Sequence, residues 1–439
     1  VAASPAPPHP VVHAAGRLAS AALAAAVLLV TLDVAGADAA VERRRDQFGR
    51  DFGYYVYPIV GEIPGLGQAA GAGASVLNIA GGDTDFTGYA VGGDFRAKGF
   101  ALLDYHLVPH RLVVDGGYND YFVAPVVYRR GIDSDPNDVI YPKAEGQYGI
   151  AQLTLTFDQR RYEFYTRFLS GRERLHEVLD NNGTAFPGVD TAWDGGQWVD
   201  LGLTVDLTDD RLDPRQGTRF EFATRLPSRE DPDTSESFVT VANLTHYVPM
   251  RRWDTLAFNL FHSRAFVTRK GETDFATLQA DHGLNCTQYP PGPTRDDCLA
   301  TEATFIDNLI AHNRYGTAMS LGGTQRLRAF DNGRFYAGQA LFYGVEYRWN
   351  LTDERTPFNI YIARGIRTGI QLAAFWERGT VADHAEDLLS DGRTSYGVGF
   401  RLILSGVIIR LDLADGDEGV QSQLFITYPW SLFSVDQPG

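Results

Sequence analysis

Apolar and polar side chains alternate along stretches of roughly ten residues, and each stretch closes on a turn. Gly146 to Phe157 reads G-Q-Y-G-I-A-Q-L-T-L-T-F, Tyr162 to Leu169 reads Y-E-F-Y-T-R-F-L, and Gln197 to Leu207 reads Q-W-V-D-L-G-L-T-V-D-L. Gly217 to Leu226 and Phe238 to Tyr247 continue the series. A two-residue period sends alternate side chains to opposite faces of a strand. Beyond Ala40 the pattern offers no helix-period segment of any length, so it predicts an all-β protein.

Alternation suits a soluble sandwich as well. Three features favour a transmembrane antiparallel β-barrel instead. The strand length fits a bilayer crossing of about ten residues. Aromatic residues gather near strand ends, where interfacial girdles lie. The connections alternate: H-L-V-P-H-R, D-Q-R-R, V-P-M-R-R and I-L-S-G are tight, whereas 129–145, 171–196, 227–236, 268–334 and 378–393 are long. Short turns on one side and long loops on the other is the outer-membrane layout. The count is about sixteen strands, and the barrel is expected over 52–433. The longest loop, Thr268 to Arg334, then joins the eleventh and twelfth strands on the outside. The closing strand is read as Q-L-F-I-T-Y-P-W-S-L-F. Its Pro429 cannot donate a ladder hydrogen bond, which suits a seam between first and last strands.

One segment breaks the alternation. Leu18 to Leu32 is apolar, follows Arg17 and precedes A-G-A-D-A-A. This reads as a secretory signal over 1–40, with a membrane anchor as the alternative. Residues 41–51 form a short lead, and 434–439 a tail. Export makes the compartment oxidising, so Cys286 and Cys298 are expected to pair; without a nearby His pair they make an incomplete zinc site.

Composition narrows the function classes. The chain has 439 residues and a net charge of -16, which argues against a nucleic-acid partner because phosphate binding needs a basic face. Among catalytic signatures, G-x-S-x-G, Walker A, G-x-G-x-x-G after a strand and H-E-x-x-H are missing, so no enzymatic activity and no cofactor is expected. His106 and His110 flank a tight turn and are read as turn residues; alone they are half a metal site. The acidic stretch Ala414 to Gly419 reads as a solvated hairpin tip.

Three motifs and one further stretch stand out. Gly322-Gly323 is followed by Leu327-Arg328-Ala329-Phe330, then Arg334-Phe335, then a strand with Glu346-Tyr347-Arg348. Asp206 to Gly217 reads D-L-T-D-D-R-L-D-P-R-Q-G, with Asp209, Asp213 and Pro214 inside it. Phe375-Trp376-Glu377-Arg378-Gly379 lies in the thirteenth strand, and Gly397 to Ala414 carries G-V-G-F-R and I-R-L-D-L-A. From Trp198 onward the chain resembles the BamA/TamA superfamily of bacterial surface-antigen barrels. Ala329 stands where the family motif has Gly, Thr208 where it often has Arg, and Glu377 where it has Asp. Ala reaches positive φ less readily than Gly, so the loop tip is expected to differ.

The resemblance implies that the long loop folds into the lumen, where its arginine meets acids of the wall. Arg328 is expected to pair with Glu377, and Glu346 is the second choice. Asp213-Pro214 and Gly217 are read as a turn device. A cut near Ala40 leaves about 12 residues before the first strand, too few for a POTRA module. The similarity is therefore to POTRA-less members, and client capture by such a module is not implied. Function is expected to be assistance to protein insertion or translocation at the outer membrane through a lateral seam. The alternatives are a passive pore or structural barrel, and a surface adhesin or receptor. Lipid and lipopolysaccharide are the expected surroundings, with nascent barrel or exported proteins as clients and separate periplasmic proteins as partners.

Overall fold

A computed structural model describes residues 52–187, 189, 191–211, 213–226, 235–250, 254–352, 358–366, 368–404, 407–426 and 429–430. The expected signal segment 1–40, the expected lead 41–51 and the tail 434–439 lie outside them. The wall consists of 16 antiparallel strands. They are β1 (Gly53–Ile63), β2 (Gly67–Ile79), β3 (Thr84–Gly93), β4 (Arg96–Val108), β5 (Leu112–Val123), β6 (Val139–Phe157), β7 (Tyr162–Leu179) and β8 (Asp194–Asp206). β9 (Gly217–Leu226), β10 (Glu236–Pro249), β11 (Thr255–Arg269), β12 (Gln339–Asn350), β13 (Thr368–Ala382), β14 (Arg393–Leu404), β15 (Val407–Gly416) and β16 (Gly419–Ile426) complete it. Each strand pairs with the next in sequence. The longest connection does join β11 to β12.

The alternation resolves into an inside-out protein. On β14, Tyr396, Val398 and Phe400 face outward, with Val398 57% exposed, while Arg401 on the opposite face is fully buried. On β15, Leu411 and Leu413 face outward while Arg410 and Asp412 are buried. Phe100, Leu153, Phe164, Phe168, Phe258 and Trp376 extend the apolar exterior around the wall. Such a belt is the surface a barrel presents to lipid, with polar side chains kept inside. No described helix is long and apolar enough to cross a membrane.

Two features depart from the alternation. The long loop contains helices α1 (Phe275–His282) and α2 (Pro293–Tyr315), the latter of 23 residues. The buried positions of α2 are Cys298, Glu302, Ile306 and Asn313. Half of that face is polar, so no apolar stripe betrayed it. Its ends are nonetheless marked: Pro293 begins the first turn, His312 and Arg314 sit in the last, and Gly316 caps it at φ 69°. Second, β1 to β4 are joined by tight turns at both rims, so long loops gather on the later strands.

The seam also differs from expectation. β16 ends at Ile426, and Pro429 lies in a turn beyond it rather than in the strand. Trp430, next to it, is buried inside the barrel. Among the described residues no ladder joins β1 to β16; Ser422 Oγ donates to Glu62 Oε2 at 2.7 Å across the gap. Lower on β1, a ribbon from the β12–β13 connection takes the vacated edge. Tyr54 pairs with Arg364 and Tyr55 with Ala363, and Val56 N–H donates to Ile362 O at 3.1 Å.

The exterior assignment predicts that Val398→Arg, on the outward face, destabilises the refolded barrel by about 2–4 kcal/mol near the bilayer midplane. Denaturant titration in lipid vesicles measures this, and an unchanged midpoint would contradict an outward lipid-facing Val398.

Candidate functional site: a loop clamped inside the barrel

Between α2 and β12, residues 316–338 run down into the lumen. Gly322 and Gly323 adopt φ 107° and 95°, and a Cβ at Gly322 would lie 2.2 Å from Asp331 O, so the two glycines let the loop double back on itself. The doubled loop closes with Leu321 and Phe335 exchanging backbone hydrogen bonds at 2.8 and 3.0 Å. At its tip Leu327, Ala329 and Phe330 are fully buried, and Phe330 packs edge-on to Phe335 with centroids 5.0 Å apart. The positive φ at the tip belongs to Leu327, at 54°, and not to Ala329. Alanine therefore fits without strain where a glycine was expected. The wall makes room for the tip: a Cβ on Gly416 would meet Ala329 Cβ at 2.9 Å, and one on Gly379 would meet Leu321 Cδ1 at 2.7 Å.

Arg328 is the centre of this contact. Its Nε lies 2.9 Å from Glu377 Oε1, and its Nη1 lies 2.8 Å from Asp412 Oδ2 and 3.1 Å from Glu346 Oε2. Its backbone N–H also donates to Glu377 Oε2 at 2.9 Å. The guanidinium stacks 3.4 Å from the Phe375 ring centroid. Thus Phe375 and Glu377, two apart and on the inner face of β13, supply the ring and the charge together. The structure brings Glu346 into the same contact, so both acids singled out in the sequence meet Arg328.

The clamp extends beyond those residues. Arg401 Nη2 lies 2.7 Å from Glu346 Oε2, Arg348 Nε 2.7 Å from Glu346 Oε1, and Arg410 Nε 3.3 Å from Asp412 Oδ2. Arg410 also donates to Thr324 O, and Gln423 to Arg328 O. Trp430 closes the assembly: its indole N–H donates to Glu377 Oε1 at 3.1 Å, and its carbonyl accepts from Asn243 Nδ2 at 2.8 Å and Arg326 Nη2 at 3.2 Å. Burial pulls Arg328 toward the neutral form, but Glu377, Asp412 and Glu346 outweigh this and hold its pKa above the usual value. Asp412, Arg401, Arg410 and Trp430 escaped the sequence reading. The first three sit at inward positions of strands whose outward residues are apolar, a signal that strand phase makes available.

The remaining motif residues serve structure. Asp206 Oδ1 accepts from Thr208 N–H at 3.0 Å and Thr208 Oγ1 at 2.6 Å, and its Oδ2 lies 3.0 Å from Arg219 Nη2. Asp209 accepts from Arg215 N–H at 2.8 Å and Gln216 N–H at 3.0 Å. Asp213 pairs with Arg215 at 3.0 Å beside the buried Pro214, and Gly217 turns at φ 101°. Cys286 and Cys298 form a disulfide between the start of a short helical turn and α2, with Cα atoms 5.6 Å apart, packed against Val178 and Phe186.

Removing one partner of a buried ion pair strands the other charge, which costs about 3–5 kcal/mol. Arg328→Glu is therefore expected to lower barrel stability by at least that much, as read by heat-modified gel mobility and urea unfolding in micelles. Adding Glu377→Arg re-forms a pair of opposite charges and restores only part of the loss, because Glu346 and Asp412 still repel a carboxylate at position 328. Additive effects in this double-mutant cycle would contradict a direct pair. Arg328→Lys should recover little, since one ammonium lacks the guanidinium fork.

No family model matches the chain, and no curated protein does. Among solved structures it is similar to BamA from Haemophilus ducreyi lacking POTRA domains 1-3, at 11% identity and a TM-score of 0.47, covering 86% of this chain and 69% of that one. It is similar to CdiB from Escherichia coli at 11% identity and a TM-score of 0.48, covering 85% of this chain and 62% of that one. CdiB from Acinetobacter baumannii matches at 9% identity and a TM-score of 0.46, over 85% of this chain and 59% of that one. The chain thus spans less than two thirds of either CdiB. These similarities are weak, and the barrel is established by its own strand ladders.

Proposed function

We propose that this chain is an outer-membrane barrel that assists the insertion or translocation of proteins, working through the seam between β1 and β16. The observation that carries the reading is the state of the β1 edge. β16 departs at Ile426, and the backbone groups of Tyr54 to Val56 are met by the ribbon at 362–364 instead of by the closing strand. A strand edge covered only by a short ribbon is a template for β-augmentation: an incoming strand offers the same hydrogen bonds over a greater length. The exposed apolar belt supports a lipid setting. The clamped loop and Trp430 inside the barrel favour this reading over a passive pore, because both occupy the bore.

Two side chains that already touch across the gap allow a direct test. Glu62→Cys with Ser422→Cys should form a disulfide that locks the seam, while a photocrosslinking residue at Tyr54 reports on what reaches the edge in living cells. The proposal expects adducts with nascent barrels or exported chains from the unlocked protein, and a loss of at least tenfold on locking. Adducts confined to lipid, or client adducts that persist unchanged in the locked protein, would falsify it. Tyr428, the partner position across the expected seam, lies outside the described residues.

A further inference from the structure

Two tight turns on the rim from which β1 rises bring Asp83, His106 and His110 together. Asp83 ends the β2–β3 turn, His106 lies near the end of β4, and His110 lies in the β4–β5 turn. His110 Nε2 is 3.5 Å from Asp83 Oδ2, and His106 Nδ1 is 4.0 Å from the same oxygen. One ligand atom from each residue falls within 4.8 Å of the others. From this juxtaposition we propose a binding site for one divalent transition-metal cation of the borderline class that imidazole and carboxylate ligands favour, with zinc as the probe.

The geometry needs little adjustment. A tetrahedral ion with bonds of roughly 2.0–2.2 Å sets its ligand atoms about 3.3 Å apart, so the 3.5 and 4.0 Å separations present close by small side-chain rotations. The imidazole rings meet at 87° with centroids 5.6 Å apart, so they are not stacked face to face. Backbone geometry holds the three in place. Asp83 sits at φ 58° with its N–H bonded to Asn78 Oδ1 at 2.9 Å. His110 sits at φ 56° after Pro109, in a turn closed by Arg111 N–H to Val108 O at 3.0 Å. The neighbouring Asp104 is engaged by Arg160 at 2.5 Å and is left out of the ligand set.

Access and chemistry agree with a site that is loaded from solution. His106 has 8% of its side chain exposed, Asp83 20% and His110 52%, so the cluster has a closed floor and an open mouth. The open side leaves a coordination position for water. Two neutral nitrogens and one carboxylate favour zinc, nickel or copper over magnesium and calcium, which prefer oxygen ligands. A bound ion would staple the β2–β3 turn to the β4–β5 turn.

The test is calorimetric titration of the full refolded barrel in detergent at pH 7.5, after chelator treatment, with zinc chloride and with magnesium chloride. One equivalent of zinc should bind, with at least tenfold weaker binding in Asp83→Asn and in His110→Ala. His110 is the safer variant, being half exposed, and heat-modified mobility confirms that it folds. Magnesium should give no saturable heat, and zinc affinity should fall on acidification to pH 5.5, where histidines take up protons. Absence of stoichiometric zinc binding, or equal binding by wild type and both variants, would overturn the site.

Discussion

A buried positive charge on a loop decides how this barrel is filled. Arg328 carries its guanidinium to a fully buried place, and such a placement is tolerable only where carboxylates and hydrogen bonds surround it. Glu377 on β13, Glu346 on β12 and Asp412 on β15 do so from three strands at once. One side chain thereby ties the loop to a broad arc of wall, and the wall strands to one another. Its planar fork engages several carboxylates together, with Phe375 beneath it. Around this centre the small residues fall into place: Gly379 and Gly416 are the gaps into which Leu321 and Ala329 fit.

The clamp and the seam are mechanically connected. Trp430 reaches the same buried cluster from beyond β16, and its indole and carbonyl are held by Glu377, Asn243 and Arg326. The chain cannot both place Trp430 there and continue as a wall strand beside β1. The shortness of β16 is thus the counterpart of the clamp, and the ribbon pairing with Tyr54 and Tyr55 fills the edge that this leaves. An edge without a partner would expose unpaired backbone groups, which lipid cannot satisfy.

Much of this was legible in the residues. The two-residue period located the strands, and the spacing of tight and long connections placed the longest loop between β11 and β12. Arg328, Glu346 and Glu377 stand out through motifs that resemble those of the BamA/TamA barrels. Other parts were hidden for physical reasons. Helix α2 buries Glu302 and Asn313 along with Cys298 and Ile306, so its inner face carries no hydrophobic stripe. Pro429 looked like a strand residue because apolar and aromatic residues continue past Ile426 in the sequence, and one of them, Trp430, serves a lumen contact instead. His106 and His110 read as turn residues, because Asp83, which lies beside both, belongs to another turn.

By itself the sequence determined which side chains could face lipid and which could not, because a strand sends neighbours to opposite faces and the hydrocarbon accepts only apolar ones. It also determined that the loop had to turn at Gly322 and Gly323 and carry a cation beyond them. Tertiary structure decided that three carboxylates would receive that cation together, because Glu346, Glu377 and Asp412 are distant in the chain and become neighbours only when their strands align in register. It decided equally that Trp430 would leave the wall. That choice rests on competition between a ladder beside β1 and a buried contact with Glu377, and local pattern cannot weigh partners that far apart.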